Sequence, residues 1–195
     1  MGAIRLDERS ILKEVGEDPW GRVMVGALGY VGTEQTLPSL YKYLDSFKSD
    51  EAKKDVCSAI GNILAKKPDA LLPNFLNKAQ QEKDAYHSLV ILREMLGFTD
   101  KAFGNLIQLI EWLFAKSEDN LEAESNYYII AECVGRAAFL STQAEERVLS
   151  NSQSTSPRRR FVVASSLRFA LESEKDVAEE LVERYLEAVG KYFVS

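Results

Sequence analysis

The chain has 195 residues, 46% hydrophobic and 28% charged, enough for one globular domain or a short row of repeats around a shared core. A formal net charge of −6 with a pI near 5.0 opposes non-specific attraction to nucleic acid, and no apolar run approaches the ~18 residues of a membrane span. The opening MGAIRLDERS has acidic residues where a secretory signal has a basic stretch and then a long apolar one, so cytoplasm or nucleus is expected.

Apolar residues recur with helical spacing and no window alternates with period two, which predicts an all-α fold. In chain order the expected helices cover 4–15, 19–32, 37–47, 50–65, 70–80, 82–97, 101–116, 122–140, 142–151, 157–171 and 174–193. Asp18-Pro19 and Ser156-Pro157 each read as an N-cap followed by proline at the first helical position. Thr142 and Glu145 have capping-box spacing, which sets the start of the ninth helix. Short connections pack consecutive helices as hairpins. The last expected helix carries an apolar stripe, with Val177, Leu181, Tyr185, Val189 and Tyr192, too wide for one neighbour; it suggests a segment of a longer array.

Alternate helices resemble one another. VMVGALGYVG from Val23, DVCSAIGNIL from Asp55, AYHSLVILREML from Ala85, IIAECVGRAAFL from Ile129 and FVVASSLRFAL from Phe161 each carry a small residue followed by an apolar one. These marker pairs are Ala27-Leu28, Ala59-Ile60, Ser88-Leu89, Cys133-Val134 and Ser166-Leu167. By subtraction the apolar markers lie 32, 29, 45 and 33 residues apart, near the ~40-residue period of HEAT and armadillo units. The expected architecture is one HEAT/armadillo-like α-solenoid of about five to six antiparallel hairpins over 1–195, in which small residues let neighbouring helices approach. Gly29, Gly61 and Gly135 follow marker pairs and fit the same packing role, despite a cost of ~1 kcal/mol in a helix interior.

The residues offer little for catalysis. His87 is the single histidine, Cys57 and Cys133 lie in apolar segments without metal-ligand spacing, and no glycine-rich nucleotide motif is present. Glu172, Glu174, Asp176, Glu179, Glu180 and Glu183 alternate with basic residues as a solvated face does. The expectation is therefore no catalytic site, no cofactor, no metal and no small-molecule substrate. Tyr127, Tyr128, Tyr185, Tyr192 and Phe193 are read as core rather than as a stacking platform for single-stranded nucleic acid, and Trp20 and Trp112 as hairpin core rather than a binding cage.

A repeat array presents long surfaces to other proteins. The candidate partner-binding residues are Lys53, Lys54, Arg93, Arg136, Arg158, Arg159 and Arg160, on the marker-bearing helices expected to line the concave side. Three arginines at a helix N-terminus are opposed by its macrodipole, at ~0.3–1 kcal/mol each when exposed. Either an acidic partner surface or pairing with Glu145 and Glu146 would account for them.

ALGYVGTEQTL from Ala27, SDEAKKDVCSAIGNIL from Ser49, LLPNFL from Leu71, AYHSLVILREML from Ala85, NYYIIAECVGRAAFL from Asn126 and RRRFVVASSLRFAL from Arg158 resemble a known set of repeats. In order and spacing they are similar to HEAT repeats in the C-terminal half of the cullin-associated, neddylation-dissociated proteins, over about Ala27 to Leu171. The resemblance implies a non-catalytic clamp that wraps an unneddylated cullin with the RING subunit of an SCF-type ubiquitin ligase and promotes substrate-receptor exchange. Nothing after Leu171 matches the family's adaptor-blocking hairpin. An importin-type transport receptor and, less favoured by net charge, a HEAT-fold DNA glycosylase are the competing expectations.

Overall fold

The computed structural model describes residues 7–82, 85–119 and 124–172. Among them all regular structure is helical. The helices are α1 (Glu8–Leu12), α2 (Pro19–Val31), α3 (Leu37–Ser46), α4 (Asp50–Lys66), α5 (Pro68–Gln81), α6 (Tyr86–Gly97), α7 (Leu106–Glu118), α8 (Glu124–Ala138), α9 (Thr142–Ser150) and α10 (Pro157–Glu172). Short 3-10 turns occupy Glu34–Thr36 and Asn151–Gln153. The expected helix over 174–193, with its apolar stripe, lies outside the described residues. None of the described helices is long and apolar enough to cross a membrane.

The helix starts follow local chemistry. The Asp18 carboxylate accepts from the Trp20 and Gly21 amides at 3.0 and 3.1 Å, which caps α2. The Ser156 hydroxyl accepts from the Arg159 amide at 3.4 Å at the entry to α10. At α9 the cap is Ser141 and not Thr142. Ser141 has an extended backbone that turns its hydroxyl back toward the Ala144 amide, 3.1 Å away, whereas Thr142 is already helical. Ser141→Ala is expected to cost ~1 kcal/mol and Thr142→Ala only a few tenths; thermal melts giving the reverse order would return the cap to Thr142. The start of α7 is later than its periodicity suggests, because residues 101–105 form a turn containing Gly104. Pro73 lies inside α5, the exception to prolines at helix starts.

The chain forms two compact units, the division falling within α5 and α6. The first comprises residues up to Leu72 together with Val90–Thr99. Here α2 packs most extensively on α4, α3 packs on α4, and α1 on α2. Ile11, Leu28, Leu40, Ile60, Ile63 and Ile91 are fully buried between them. Close approach is built into α4: a Cβ on Gly61 would meet the Ile91 carbonyl and the Met95 amide at 2.8 Å. The Glu17 carboxylate accepts from the Lys48 and Ser49 amides at 3.0 and 2.8 Å, and the Tyr43 hydroxyl donates to the Leu12 carbonyl at 3.2 Å.

The second unit comprises Pro73–Leu89 and the described residues from Asp100 onward. Its most extensive pairing is α8 with α10, and α7 and α9 both pack on α8. Leu109, Leu113, Phe114, Ile130, Val134 and Val162 are without solvent exposure. Cys133 is buried with its thiol 3.9 Å from the Leu89 carbonyl, and Cys57 is buried in the first unit; neither forms a disulfide.

Candidate protein-docking surface

Two features compete for the role of a docking surface: the basic residues singled out in the sequence, and an apolar helix face exposed by packing. The three arginines at the start of α10 are engaged within their own unit. Arg158 donates to the Glu118 and Asp119 carbonyls at 2.6 and 3.0 Å, and its guanidinium lies 5.8 Å from the centre of the Tyr127 ring. Arg159 pairs with the Glu118 carboxylate at 2.9 Å, reaches Asn151 at 3.3 Å and lies 6.0 Å from the Phe114 ring centre. Arg160 donates to the Ser154 and Thr155 carbonyls at 2.9 and 3.0 Å.

This resolves the electrostatic conflict read from the sequence. The N-terminus of α10 repels cations, but Arg158 sits on the C-terminal carbonyls of α7, where the helix dipole is negative, Arg159 on the Glu118 carboxylate, and Arg160 on the carbonyls of the loop before α10. The pairing of Arg159 is thus with Glu118 rather than with Glu145 or Glu146. Ser156 completes the junction by donating to the other Glu118 carboxylate oxygen at 3.0 Å.

The remaining candidates are dispersed. Arg136 pairs with Glu132 at 2.7 Å one turn away on α8, and Arg93 pairs with its neighbour Glu94 at 2.8 Å. Lys54 is exposed and Lys53 half-buried, and as adjacent residues they stand ~100° apart around α4, so they do not share one face. His87 is half-buried with its ring edge-on to Tyr86 at 5.5 Å. Among the described residues no group of three or more metal-ligating side chains converges.

The aromatic expectations divide. Trp112 is partly buried beneath the Lys116 ammonium, 5.7 Å from the ring centre. Tyr127 is half-buried and donates to the Asp119 carbonyl at 3.1 Å, whereas Tyr128 is exposed and packs edge-on against the exposed Phe161 at 5.8 Å. Trp20 is the clear correction, being 60% exposed. The cause is that α2 is apolar around most of its circumference. Its buried arc is Gly21, Met24, Val25, Leu28 and Gly29, and Trp20 stands ~110° around the helix from the middle of that arc.

Trp20 belongs to an outer face with Val23 (59% exposed), Tyr30 (72%) and Val31 (47%). Beside it runs an open groove of about 360 Å³, lined by Pro19, Arg22, Val23 and Gly26 of α2 and Asp55 and Ser58 of α4. The groove wall is fixed by Arg22, which pairs with Asp55 at 2.6 Å and Glu51 at 2.9 Å. Those carboxylates hold the guanidinium charged and raise its pKa, the Asp55 hydrogen bond being the largest cause. At the far end of α2, Lys66 donates to the Tyr30 and Gly32 carbonyls at 2.7 and 2.9 Å. Partial burial lowers the Lys66 pKa, opposed by the charge of Glu8.

The sequence carried the signal for this face in the near-unbroken apolar run of VMVGALGYVG, which exceeds what a two-sided surface helix buries. Its similarity to the other marker segments hid it. No protein-family model matches the chain, and no curated protein matches it either.

Proposed function

We propose that this chain is a HEAT-type repeat array that works as a non-catalytic, protein-binding scaffold. The observation that carries the reading is how marker helices meet within each unit: α2 lies against α4 and α8 against α10, and these are the most extensive pairings. The small residue of a marker pair faces the marker helix before it. A Cβ on Gly29 of α2 would come within 3.1 Å of the Ala59 backbone, and Cys133 meets the Leu89 carbonyl. Side-by-side packing of every second helix is the contact that repeat arrays use to extend a core, and it leaves helix faces rather than pockets for partners.

The resemblance to the cullin-associated, neddylation-dissociated proteins names the first partner. The chain acts as a segment of a regulator that wraps unneddylated cullin–RING ubiquitin ligases in the cytoplasm or nucleus, with no cofactor. Purified cullin with its RING subunit, unmodified and neddyl-modified, presented to the immobilised chain is the test. Retention of the unmodified complex with loss on modification is expected; retention of neither removes the cullin assignment.

A further inference from the structure

We propose that Ser156 is a phosphorylation site for a proline-directed serine/threonine kinase, and that a phosphate there takes Arg159 from Glu118 and loosens the junction between α7 and α10. The inference does not depend on which partner the scaffold holds. Of the five prolines, Pro157 alone follows a hydroxyl side chain; the others follow Asp18, Leu37, Lys67 and Leu72. Arg158, Arg159 and Arg160 come next, so the segment reads hydroxyl, proline, then cations, a charge pattern of the kind kinases select.

The fold leaves this segment open to an enzyme. Ser154, Thr155 and Ser156 belong to neither a helix nor a 3-10 turn; Thr155 is exposed and Ser156 half-buried. The first turn of α10 is held loosely. The Arg159 amide reaches the Ser156 hydroxyl at 3.4 Å and the Arg160 amide the Ser156 carbonyl at 3.3 Å, both longer than the usual range of about 2.7–3.2 Å. Opening that turn breaks few backbone bonds. With Mg·ATP brought by the kinase, the Ser156 Oγ attacks the γ-phosphorus, the bond to the ADP oxygen breaks, and the hydroxyl proton passes to the kinase's carboxylate base.

The neighbours of Ser156 make the modification a switch. Its hydroxyl donates to one Glu118 carboxylate oxygen at 3.0 Å, while Arg159 pairs with the other at 2.9 Å. Phosphorylation removes the donor and sets a charge of about −1.5 to −2 against the carboxylate. Glu118 is repelled, and Arg159, three residues along from the phosphate, gains a stronger acceptor than the one it leaves. An anion at the start of α10 suits the helix dipole, so α10 is kept while its tie to Glu118 is lost.

The test uses the full chain with Mg·ATP and a purified proline-directed kinase that selects basic residues after the proline. The intact mass should rise by one phosphate, mapped by fragmentation to Ser156. Ser156→Ala should abolish the transfer, and Pro157→Ala should slow it at least about tenfold. Phosphate on Thr155 or elsewhere, no transfer to the native chain, or transfer only after denaturation overturns the site. Glu118→Gln reads the exchange of partners separately. It should lower the melting temperature of the unmodified chain, which loses the Arg159 pair, and not that of the phosphorylated chain, which loses a repulsion. In a phosphorus NMR titration, Arg159→Gln should raise the second ionisation of the phosphate toward its ordinary value of about 6. An equal loss on Glu118→Gln in both forms, or a titration indifferent to Arg159→Gln, overturns the exchange.

Discussion

Phe114→Ala should lower the stability of the second unit by about 3–5 kcal/mol, the largest single loss expected from a core truncation among the described residues. Phe114 has no solvent exposure and is the largest of the fully buried side chains among the described residues. It lies on α7, which packs against α8 and α10, so its removal forfeits apolar transfer and leaves a cavity in a closely packed interior. It also supports the Arg159 guanidinium 6.0 Å from its centre, an interaction of about 0.5–1 kcal/mol. Denaturant melts should show the midpoint falling without a change in slope. A double-mutant cycle with Arg159→Gln isolates the cation–ring contribution. A loss under about 1.5 kcal/mol would mean that the site collapses freely and that the close packing of α7 is misjudged.

Two glycines in matching helices should respond with opposite sign. Alanine at Gly61 would put a methyl 2.7 Å from the Glu94 Cβ and 2.8 Å from backbone atoms of Ile91 and Met95. Backbone atoms cannot rotate aside, so α4 and α6 must separate, at an expected cost of about 1–3 kcal/mol. Gly26 has nothing within 4 Å of the same methyl, and Gly26→Ala should add up to about 1 kcal/mol through better helix propensity. Chemical denaturation of both variants reads the difference directly. If both destabilise, the contact at Gly61 is not the reason for its glycine.

The all-α class and most helix starts were legible because periodicity and capping are local properties of the chain. Asp18-Pro19 announced α2, and the hydrogen bonds from Trp20 and Gly21 to Asp18 are those that spacing implies. Ser141 escaped notice because Ser141 and Thr142 are both competent caps, and only the backbone angle chooses between them. The arginine cluster shows the limit more sharply. Sequence places Arg158, Arg159 and Arg160 on an unfavourable helix end, but the groups that hold Arg158 and Arg159 belong to Glu118 and Asp119, some forty positions upstream. A composition of partners that distant is a property of packing. The same holds for Trp20, whose apolar character is plain but whose exposure depends on which neighbours α2 has.

The spacing of the cross-helix hydrogen bonds bears on how the chain folds. Glu8 with Thr33 spans 25 residues, Arg22 with Asp55 spans 33, Glu111 with Arg147 spans 36, and Leu89 with Cys133 spans 44. Each therefore closes a loop of roughly one hairpin, and doubling such a loop would add only about 0.6 kcal/mol of closure entropy. On the proposed repeat-array reading, a chain stitched at this interval can nucleate at more than one hairpin and zip outward from there, so its refolding rate should depend weakly on which hairpin is perturbed.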